Sequence, residues 1–267
     1  MPMIASPFLR VGLVWLAMVV VWLLLGQVQQ MIGGTSGYSL GGHVTGAILA
    51  TAIAVPMIVF ARRGLDGKTV ESLGLVLSPA AIRPFLIGAV AFLVPSALGF
   101  AVVLGLGWAG IAPGASLGEI LLFVPMLAVL VFLYEALPEE LAFRGYIQTN
   151  LESRLGYWGA IGAQAMLFAL WGAALWAVAA GGIAWDRFAM FFFMGLVLGM
   201  VRAITGSVWA AIGLHVAFQT VAQLLLNTGR GHFEIAGAEM LQLVALGIVP
   251  FSLAAMIAEF LNARTTE

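Results

Sequence analysis

Residues 137–147 read LPEELAFRGYI and bring Glu139, Glu140 and Arg144 close together in the sequence. They follow an unbroken apolar run at 120–133. A charged side chain at the centre of a bilayer costs about 3 kcal/mol on insertion scales, so charges in or beside membrane segments are candidates for a functional site. If the chain is a membrane protein, we therefore expect this stretch to carry its function.

The composition of the chain indicates a membrane protein. Of the 267 residues, 63% are hydrophobic and only 9% are charged, and the mean hydropathy is +1.09, whereas a soluble domain carries about 25% charged residues. The net charge of −1 provides no basic surface for a phosphate backbone, so nucleic acid is not an expected partner. The lack of cysteine excludes disulfides, thiolate metal sites and cysteine nucleophiles.

Apolar segments long enough to cross a bilayer recur along the whole chain, since about 20 such residues span the hydrocarbon as a helix. No alternating strand pattern appears. We predict an all-α membrane protein, a polytopic bundle of about eight transmembrane helices that forms a single domain over 1–267. The first of these is expected to be a retained span and not a signal peptide. The predicted spans are 11–31, 44–61, 83–107, 119–137, 158–180, 188–204, 207–227 and 239–262.

The basic residues predict an orientation. With a cytoplasmic N-terminus, nine of the 11 Lys and Arg residues lie on the inner side, and only Arg187 and Arg230 lie on the outer side. The positive-inside rule then predicts an N-in, C-in topology. This topology places the 137–147 stretch at the cytoplasmic end of the fourth span.

The charge cluster has two interpretations. Glu140 and Arg144 are four residues apart on one face of a helix, with the acid first, as an ion pair prefers. Adjacent carboxylates repel in a low dielectric, so one is available as an acid or base while Arg144 keeps the other charged. Glu135, one turn before Glu139, is a weaker addition to this acidic face. Alternatively, the cluster is a solvated helix end at the lipid headgroups.

His215 favours the first interpretation. It lies within the seventh predicted span, with Gln219 and Gln223 following at four-residue intervals on the same face. A polar ridge in a membrane helix faces protein or water and not lipid. A lone buried histidine is more often a packing residue than a ligand, but a diacidic helix in the same bundle makes it a candidate catalytic partner.

These residues resemble three motifs of a known family. The pattern EExxxR at 139–144, followed by FRGYIQTNLESRLG at 143–156, resembles the first motif of the CPBP (CAAX protease and bacteriocin-processing, or Abi) family of intramembrane proteases. The family's FxxxH and HxxxN motifs align, in order, with FALWG at 168–172 and HVAFQ at 215–219. The resemblance extends over essentially the whole chain, with its specific motifs within 137–220.

The resemblance implies an intramembrane endopeptidase, with its cavity open to the cytoplasm, in a multi-pass protein of the bacterial inner (cytoplasmic) membrane. In such a site Glu140 or Glu139 activates a water, and Arg144 orients the carboxylates. His215 and Gln219 stabilise the oxyanion. The residues implied to line the substrate cavity are Phe143, Phe168 and Gly172. All of these residues, Phe143 apart, are expected to converge on one cavity near the cytoplasmic half of the bilayer.

The chain departs from the family pattern at two positions. Gly172 stands where the second motif has histidine, and Gln219 stands where asparagine is usual. A divalent metal such as zinc would have only Glu140 and His215 as ligands, which is too few nitrogen donors for a zinc assignment. We therefore assign no cofactor with certainty, and a divalent metal such as zinc stays open as the alternative.

Three functional hypotheses remain open from the sequence. The first is glutamate-driven hydrolysis of a membrane-associated peptide or protein in the lipid bilayer. The second is a catalytically impaired relative that serves as a scaffold or accessory subunit of a membrane-protein complex, and Gly172 is the feature that separates these two. A proton-coupled transporter ranks last, because the sequence has no inverted repeats.

Overall fold

The structure, a computed structural model, describes residues 6–33, 38–227 and 230–263. Within these ranges seven helical stretches are long and apolar enough to cross a membrane. This confirms the predicted helical membrane bundle and a multi-pass integral membrane protein. The stretches are Pro7–Ile32, Leu40–Leu65, Pro79–Gly105, Leu117–Ala180, Trp185–Thr205, Val208–Leu226 and Ala238–Ala263.

The described residues form ten α-helices, and wide π-helical turns extend or join several of them. The helices are α1 (Pro7–Gly33), α2 (Leu40–Phe60), α3 (Ile82–Gly105), α4 (Leu117–Val131), α5 (Leu137–Glu140), α6 (Thr149–Ala180), α7 (Trp185–Thr205), α8 (Val208–Leu226), α9 (Ala238–Met240) and α10 (Val249–Ala263). The π-helical turns are Ala61–Leu65, Phe132–Ala136, Leu141–Gln148 and Leu241–Ile248, and short 3-10 turns occupy Val70–Leu73 and Pro79–Ala81.

One small antiparallel sheet lies at the end of the bundle where α4 begins and α8 ends. Its strands are β1 (Gly110–Pro113) and β2 (Phe233–Ala236), paired so that Ile111 faces Ile235. The pairing ties the loop before α4 to the loop after α8. His215 lies on α8, and Glu139 and Glu140 lie on α5, which continues the helical path of α4.

The fourth and fifth predicted spans lie in one helical stretch of 64 residues, Leu117–Ala180. Gly156 interrupts it with φ 67° and ψ −178°, a conformation that glycine adopts without a Cβ penalty. The rings of Phe143 and Phe168 lie 4.9 Å apart, whereas about 25 residues of continuous helix would separate them by about 37 Å. The chain therefore folds back at Gly156, and the stretch contains both predicted spans.

The 137–147 stretch differs from its prediction as the end of a span. It continues the helical path of α4 through α5 and the π-helical turn Leu141–Gln148, and every residue of that turn is buried. Pro138 at the start of α5 cannot donate a backbone hydrogen bond to the preceding turn. The turn that it follows, Phe132–Ala136, is correspondingly widened. The charges are thus inside the bundle and not solvated at a helix end.

A buried ionic cluster fixes the region beyond this stretch. The carboxylate of Asp66 accepts from Arg10 at 2.8 Å, from Arg62 at 2.9 Å, from the Tyr146 hydroxyl at 3.1 Å and from Asn150 at 3.0 Å. The cluster joins α1, the turn after α2 and the helix that leaves the motif. Its arginines belong to the basic set on which the N-in, C-in prediction rests, and that orientation stays a prediction. Arg264, counted with the same set, lies outside the described residues.

Two glycines allow α3 and α8 to cross in close contact. A Cβ at Gly88 would overlap the backbone carbonyl of Ala210, and a Cβ at Gly213 would overlap the carbonyl of Phe85. Small residues permit this kind of backbone approach between membrane helices. Because His215 lies two residues after Gly213 on α8, the crossing of α3 and α8 sets the position of the His215 imidazole.

We predict that Gly88→Ala destabilises the bundle by about 1–3 kcal/mol, because a backbone carbonyl cannot move aside as a side chain does. Gly12→Ala is the matched control, since a Cβ at Gly12 has no neighbour within 4 Å. Thermal and SDS-induced unfolding in detergent micelles measures both. Equal stability of the two variants would contradict the close crossing of α3 and α8.

Candidate functional site

Glu140 is the centre of the candidate site. Its Oε1 accepts from Nη1 of Arg144 at 3.0 Å and contacts Nδ1 of His215 at 2.7 Å. At most 1% of the surface of each of these three side chains is exposed. The i, i+4 spacing explains the pair with Arg144, whereas His215 comes from α8. The structure therefore brings together the two predicted partners, the diacidic helix and the histidine.

His215 lies between both carboxylates. Oε1 of Glu140 already accepts a hydrogen bond from the Arg144 guanidinium. The proton between Glu140 and His215 is therefore assigned to Nδ1 of His215. The other ring nitrogen, Nε2, lies 4.0 Å from Oε2 of Glu139. One imidazole is thus oriented by Glu140 and presents its second nitrogen to the space beside Glu139.

Three polar atoms in this site have no hydrogen-bond partner among the described residues. They are Oε2 of Glu140, Nε of Arg144 and Nε2 of His215, and all three are buried. An unsatisfied buried polar group costs about 1–3 kcal/mol, so such groups are usually paired with ordered water or a ligand. A free carboxylate oxygen can accept a proton from water, and a free imidazole nitrogen can bind a water or a polar group of a ligand.

Arg144 is held on several sides. Its Nη1 bonds Glu140, its Nη2 donates to the carbonyl of Gly195 at 3.4 Å, and its guanidinium carbon lies 4.4 Å above the ring of Phe168. A cation over an aromatic face is attracted by the ring quadrupole. The aromatic residue of the second motif thus helps to fix the arginine of the first.

The predicted cavity residues also meet at this point. The rings of Phe143 and Phe168 are 4.9 Å apart, edge to face, beside Arg144. Gly172 follows Phe168 by one turn of α6. Gln219 follows His215 by one turn of α8, is half-buried and makes no hydrogen bond with the described part of the chain. The carboxylates, Arg144, His215 and the two phenylalanines converge, whereas the side chain of Gln219 makes no hydrogen bond with any of them.

Phe191 occupies the space next to Gly172. A Cβ at position 172 would lie 2.8 Å from Cδ2 of Phe191, and this ring packs at 5.4 Å from Phe168 and 6.4 Å from Trp171. The volume in which a second-motif histidine would begin is therefore filled from α7. The sequence gives no signal for this role, because Phe191 lies in an apolar run of three phenylalanines.

A second polar chain leads away from the site toward the β1–β2 end. Nε2 of Gln223 donates to Oε1 of Glu135 at 2.7 Å, and Nη2 of Arg230 donates to Oε1 of Gln223 at 2.6 Å. Burial lowers the pKa of Arg230 below its usual value, and the electrostatic effects of Tyr38 and Glu135 offset part of this shift. Glu135 and Gln223 were recognisable from their helical spacing to Glu139 and His215. Arg230 was not, because it lies in a loop with no periodic pattern.

The residues present do not fit a zinc ion. A catalytic zinc site uses three protein ligands, and within the described ranges no group of three or more His, Asp or Glu side chains is arranged to hold a metal. Oε1 of Glu140 is moreover engaged by Arg144 and His215. The described side chains therefore provide too few ligands for a catalytic zinc ion.

A comparison with protein families finds a match to part of the chain. Residues 120–221 match the family described as type II CAAX prenyl endopeptidase, Rce1-like. This range contains the diacidic stretch, Phe168, Gly172, His215 and Gln219. No curated protein and no solved structure matches the chain.

We predict that Gly172→Ala destabilises the protein by about 1–3 kcal/mol through overpacking against Phe191. In a Phe191→Ala background the same change should cost less than about 0.5 kcal/mol, because the obstacle is gone. Gly162→Ala on the same helix is the control, since a Cβ there has no neighbour within 4 Å. A double-mutant cycle on unfolding in detergent tests this, and zero coupling between positions 172 and 191 would refute it.

Proposed function

We propose that the chain is an intramembrane endopeptidase, because residues 120–221 match the family described as type II CAAX prenyl endopeptidase, Rce1-like. The resemblance inferred from EExxxR is thereby confirmed, and the family is one of membrane proteases. We propose that the substrate is a membrane-associated protein or peptide, and that the cavity opens to the cytoplasm. For the protein's location we propose a bacterial inner membrane.

The observation that carries this proposal is the pair of unpartnered atoms beside a short Glu140–His215 contact. A water held between Oε2 of Glu140 and Nε2 of His215 would lose a proton to Glu140 as its oxygen attacks the scissile carbonyl. The C–N bond then breaks, and Glu140 returns the proton to the leaving amine. No metal takes part in this scheme.

The neighbouring residues have supporting roles in this proposal. Arg144 pairs with Glu140 and fixes the position of its carboxylate. The unbonded amide of Gln219 donates to the oxyanion that forms on the carbonyl, while Nε2 of His215 accepts a hydrogen bond from the water. Glu139 faces the second nitrogen of His215 at 4.0 Å and helps to fix the orientation of the ring.

The second candidate function is that of a catalytically impaired relative within a membrane-protein complex. The specific observation in its favour is Phe191, whose ring fills the space beside Gly172. A site with one histidine has one donor fewer for the oxyanion than the family pattern provides. Under this alternative the buried charges bind a peptide without cleaving it.

We predict that Glu140→Gln lowers the rate of peptide hydrolysis about 100- to 10,000-fold, because the amide cannot accept the proton of water. His215→Gln should act to a similar extent. Glu239→Gln, an exposed acid on α9, is the control and should leave the rate unchanged. Cleavage of a fluorogenic prenylated peptide by the purified chain in nanodiscs measures this, with melting temperatures to verify folding.

Two outcomes would contradict the endopeptidase assignment. The first is a wild-type rate in Glu140→Gln. The second is a folded wild type that binds the peptide without cleaving it, which would favour the impaired relative. In that case the double variant Gly172→His with Phe191→Ala is informative, because only with the ring removed does a side chain at position 172 have room.

A further inference from the structure

Buried polar atoms without a protein partner continue beyond the candidate site, toward the end of the bundle where β1 and β2 lie. After Oε2 of Glu140 and Nε2 of His215, the next such atoms are Oε2 of Glu135 and Oγ1 of Thr220. Nε and Nη1 of Arg230 follow, in the loop between α8 and β2. None of these buried atoms has a hydrogen-bond partner among the described residues. They therefore extend from the candidate site to the loop after α8.

Hydrogen bonds between side chains connect the far part of this series. Gln223 donates to Oε1 of Glu135 at 2.7 Å and accepts from Nη2 of Arg230 at 2.6 Å. Glu135 and Arg230 thus each use one side of the polar group on Gln223, and the other side is unpartnered. Thr220 precedes Gln223 by three residues, so the two are neighbours on the surface of α8. We call Glu135, Thr220, Gln223 and Arg230 the polar column.

The hydroxyl of Thr220 shows that the column requires a partner from outside its own helix. A threonine within a helix can satisfy its hydroxyl by bonding the carbonyl one turn back, which here belongs to Val216. Oγ1 of Thr220 makes no such bond, although only 7% of the residue is exposed. The hydroxyl is therefore available to a ligand that lies between the helices.

Water is the ligand whose chemistry fits this set of atoms. A carboxylate oxygen only accepts hydrogen bonds, guanidinium nitrogens only donate them, and a hydroxyl does both. An anion would match Arg230 but not Glu135, and a cation would match Glu135 but not Arg230. A water molecule donates and accepts, and a buried water typically makes about three hydrogen bonds to polar groups that are otherwise unsatisfied.

The length of the column corresponds to a short file of waters. Gln223 lies eight residues after His215, which is about 12 Å along the axis of α8. Hydrogen-bonded water oxygens lie about 2.8 Å apart. A file of about four waters therefore covers this distance, and the hydroxyl of Thr220 lies beside its course.

We propose that the polar column conducts water to Glu140 from the β1–β2 end of the bundle, by a route separate from the one that the peptide uses. The use of this water rests on the proposed endopeptidase function, since each hydrolysis consumes one water. A peptide bound in a cavity excludes water on the side from which it enters. A route from the opposite end replaces the water while the peptide stays bound.

The chain contains no cysteine, so a single introduced thiol reports on water at its position. The test compares Thr220→Cys with Leu225→Cys, a control on the same helix in which each original residue is 7% exposed. Silver ions are close to water in size and react with thiols that water reaches. Membrane vesicles with the full-length chain receive silver nitrate in chloride-free buffer, and the remaining thiols are measured with a fluorescent maleimide in SDS. We expect Thr220→Cys to react about tenfold faster, because thiol reactivity follows access.

The side from which the silver arrives tests the direction of the route. Ala112→Cys is the reference, since Ala112 is exposed on β1. Right-side-out and inverted vesicles present opposite membrane faces to the silver. Thr220→Cys should react faster in the vesicle type in which Ala112→Cys reacts, and Gln223→Cys, one turn further along the column, is a second reporter with the same expectation. Faster reaction from the other face would overturn the proposed route.

Closing the column tests whether its water is used. Methyl methanethiosulfonate adds a methylthio group to Thr220→Cys and narrows the column at that point. We expect kcat for a fluorogenic prenylated peptide to fall about tenfold with KM unchanged, because the peptide enters elsewhere. Dithiothreitol should restore kcat, and wild type, which has no thiol, should not respond to the reagent. Melting temperatures verify that each variant is folded.

The outcomes for the column and for the proposed function are distinguishable. Equal silver reaction of Thr220→Cys and Leu225→Cys would overturn the column, even if wild type hydrolyses the peptide. An unchanged kcat after complete modification of Thr220→Cys would overturn it as the source of the water. Fast reaction of Thr220→Cys from the β1–β2 side, in a protein whose wild type does not hydrolyse, would support the column and remove the proposed function.

Discussion

The buried ion pair between Glu140 and Arg144 is the interaction on which the rest of the structure depends. Two charges without contact to water are stable only if the geometry is good and their remaining donors and acceptors are bonded, and removing one partner costs about 3–5 kcal/mol. His215, the Gly195 carbonyl and the Phe168 ring supply part of these contacts, while Oε2 of Glu140 and Nε of Arg144 have no partner among the described residues. They come from α8, α7 and α6, so this single pair determines how three helices are arranged around a fourth.

A second set of buried charges, around Asp66, stabilises the same helix about one turn and a half further on. Tyr146 and Asn150 belong to the helical path that carries Arg144, and both bond Asp66, which Arg10 and Arg62 also contact. The two clusters thus fix one rotation of the helix about its axis from two directions. A helix held in this way does not rotate to exchange one buried charge for another.

Much of the site could be predicted because its information is local. Glu140 and Arg144 are neighbours by helical spacing, and the hydropathy of the spans requires a helical bundle. His215 could be assigned because a histidine in an apolar helix requires a polar partner. The features that sequence reasoning missed are contacts between distant segments. Phe191 fills the space beside Gly172 from another helix, and the fold-back at Gly156 depends on a backbone conformation that neighbouring residues do not indicate.

The two π-helical turns on either side of α5 determine the direction in which the site residues point around the helix axis. A π-helical turn accommodates one residue more than an α-helical turn, and one residue corresponds to a rotation of about 100° around the helix. The turn Phe132–Ala136 therefore sets the direction in which Glu139 and Glu140 point relative to the apolar face of α4. Deletion of one residue there would leave hydropathy and motif almost unchanged, yet the carboxylates would face a different neighbour. For this chain, the number of residues between α4 and the motif therefore determines the candidate site as much as the motif itself does.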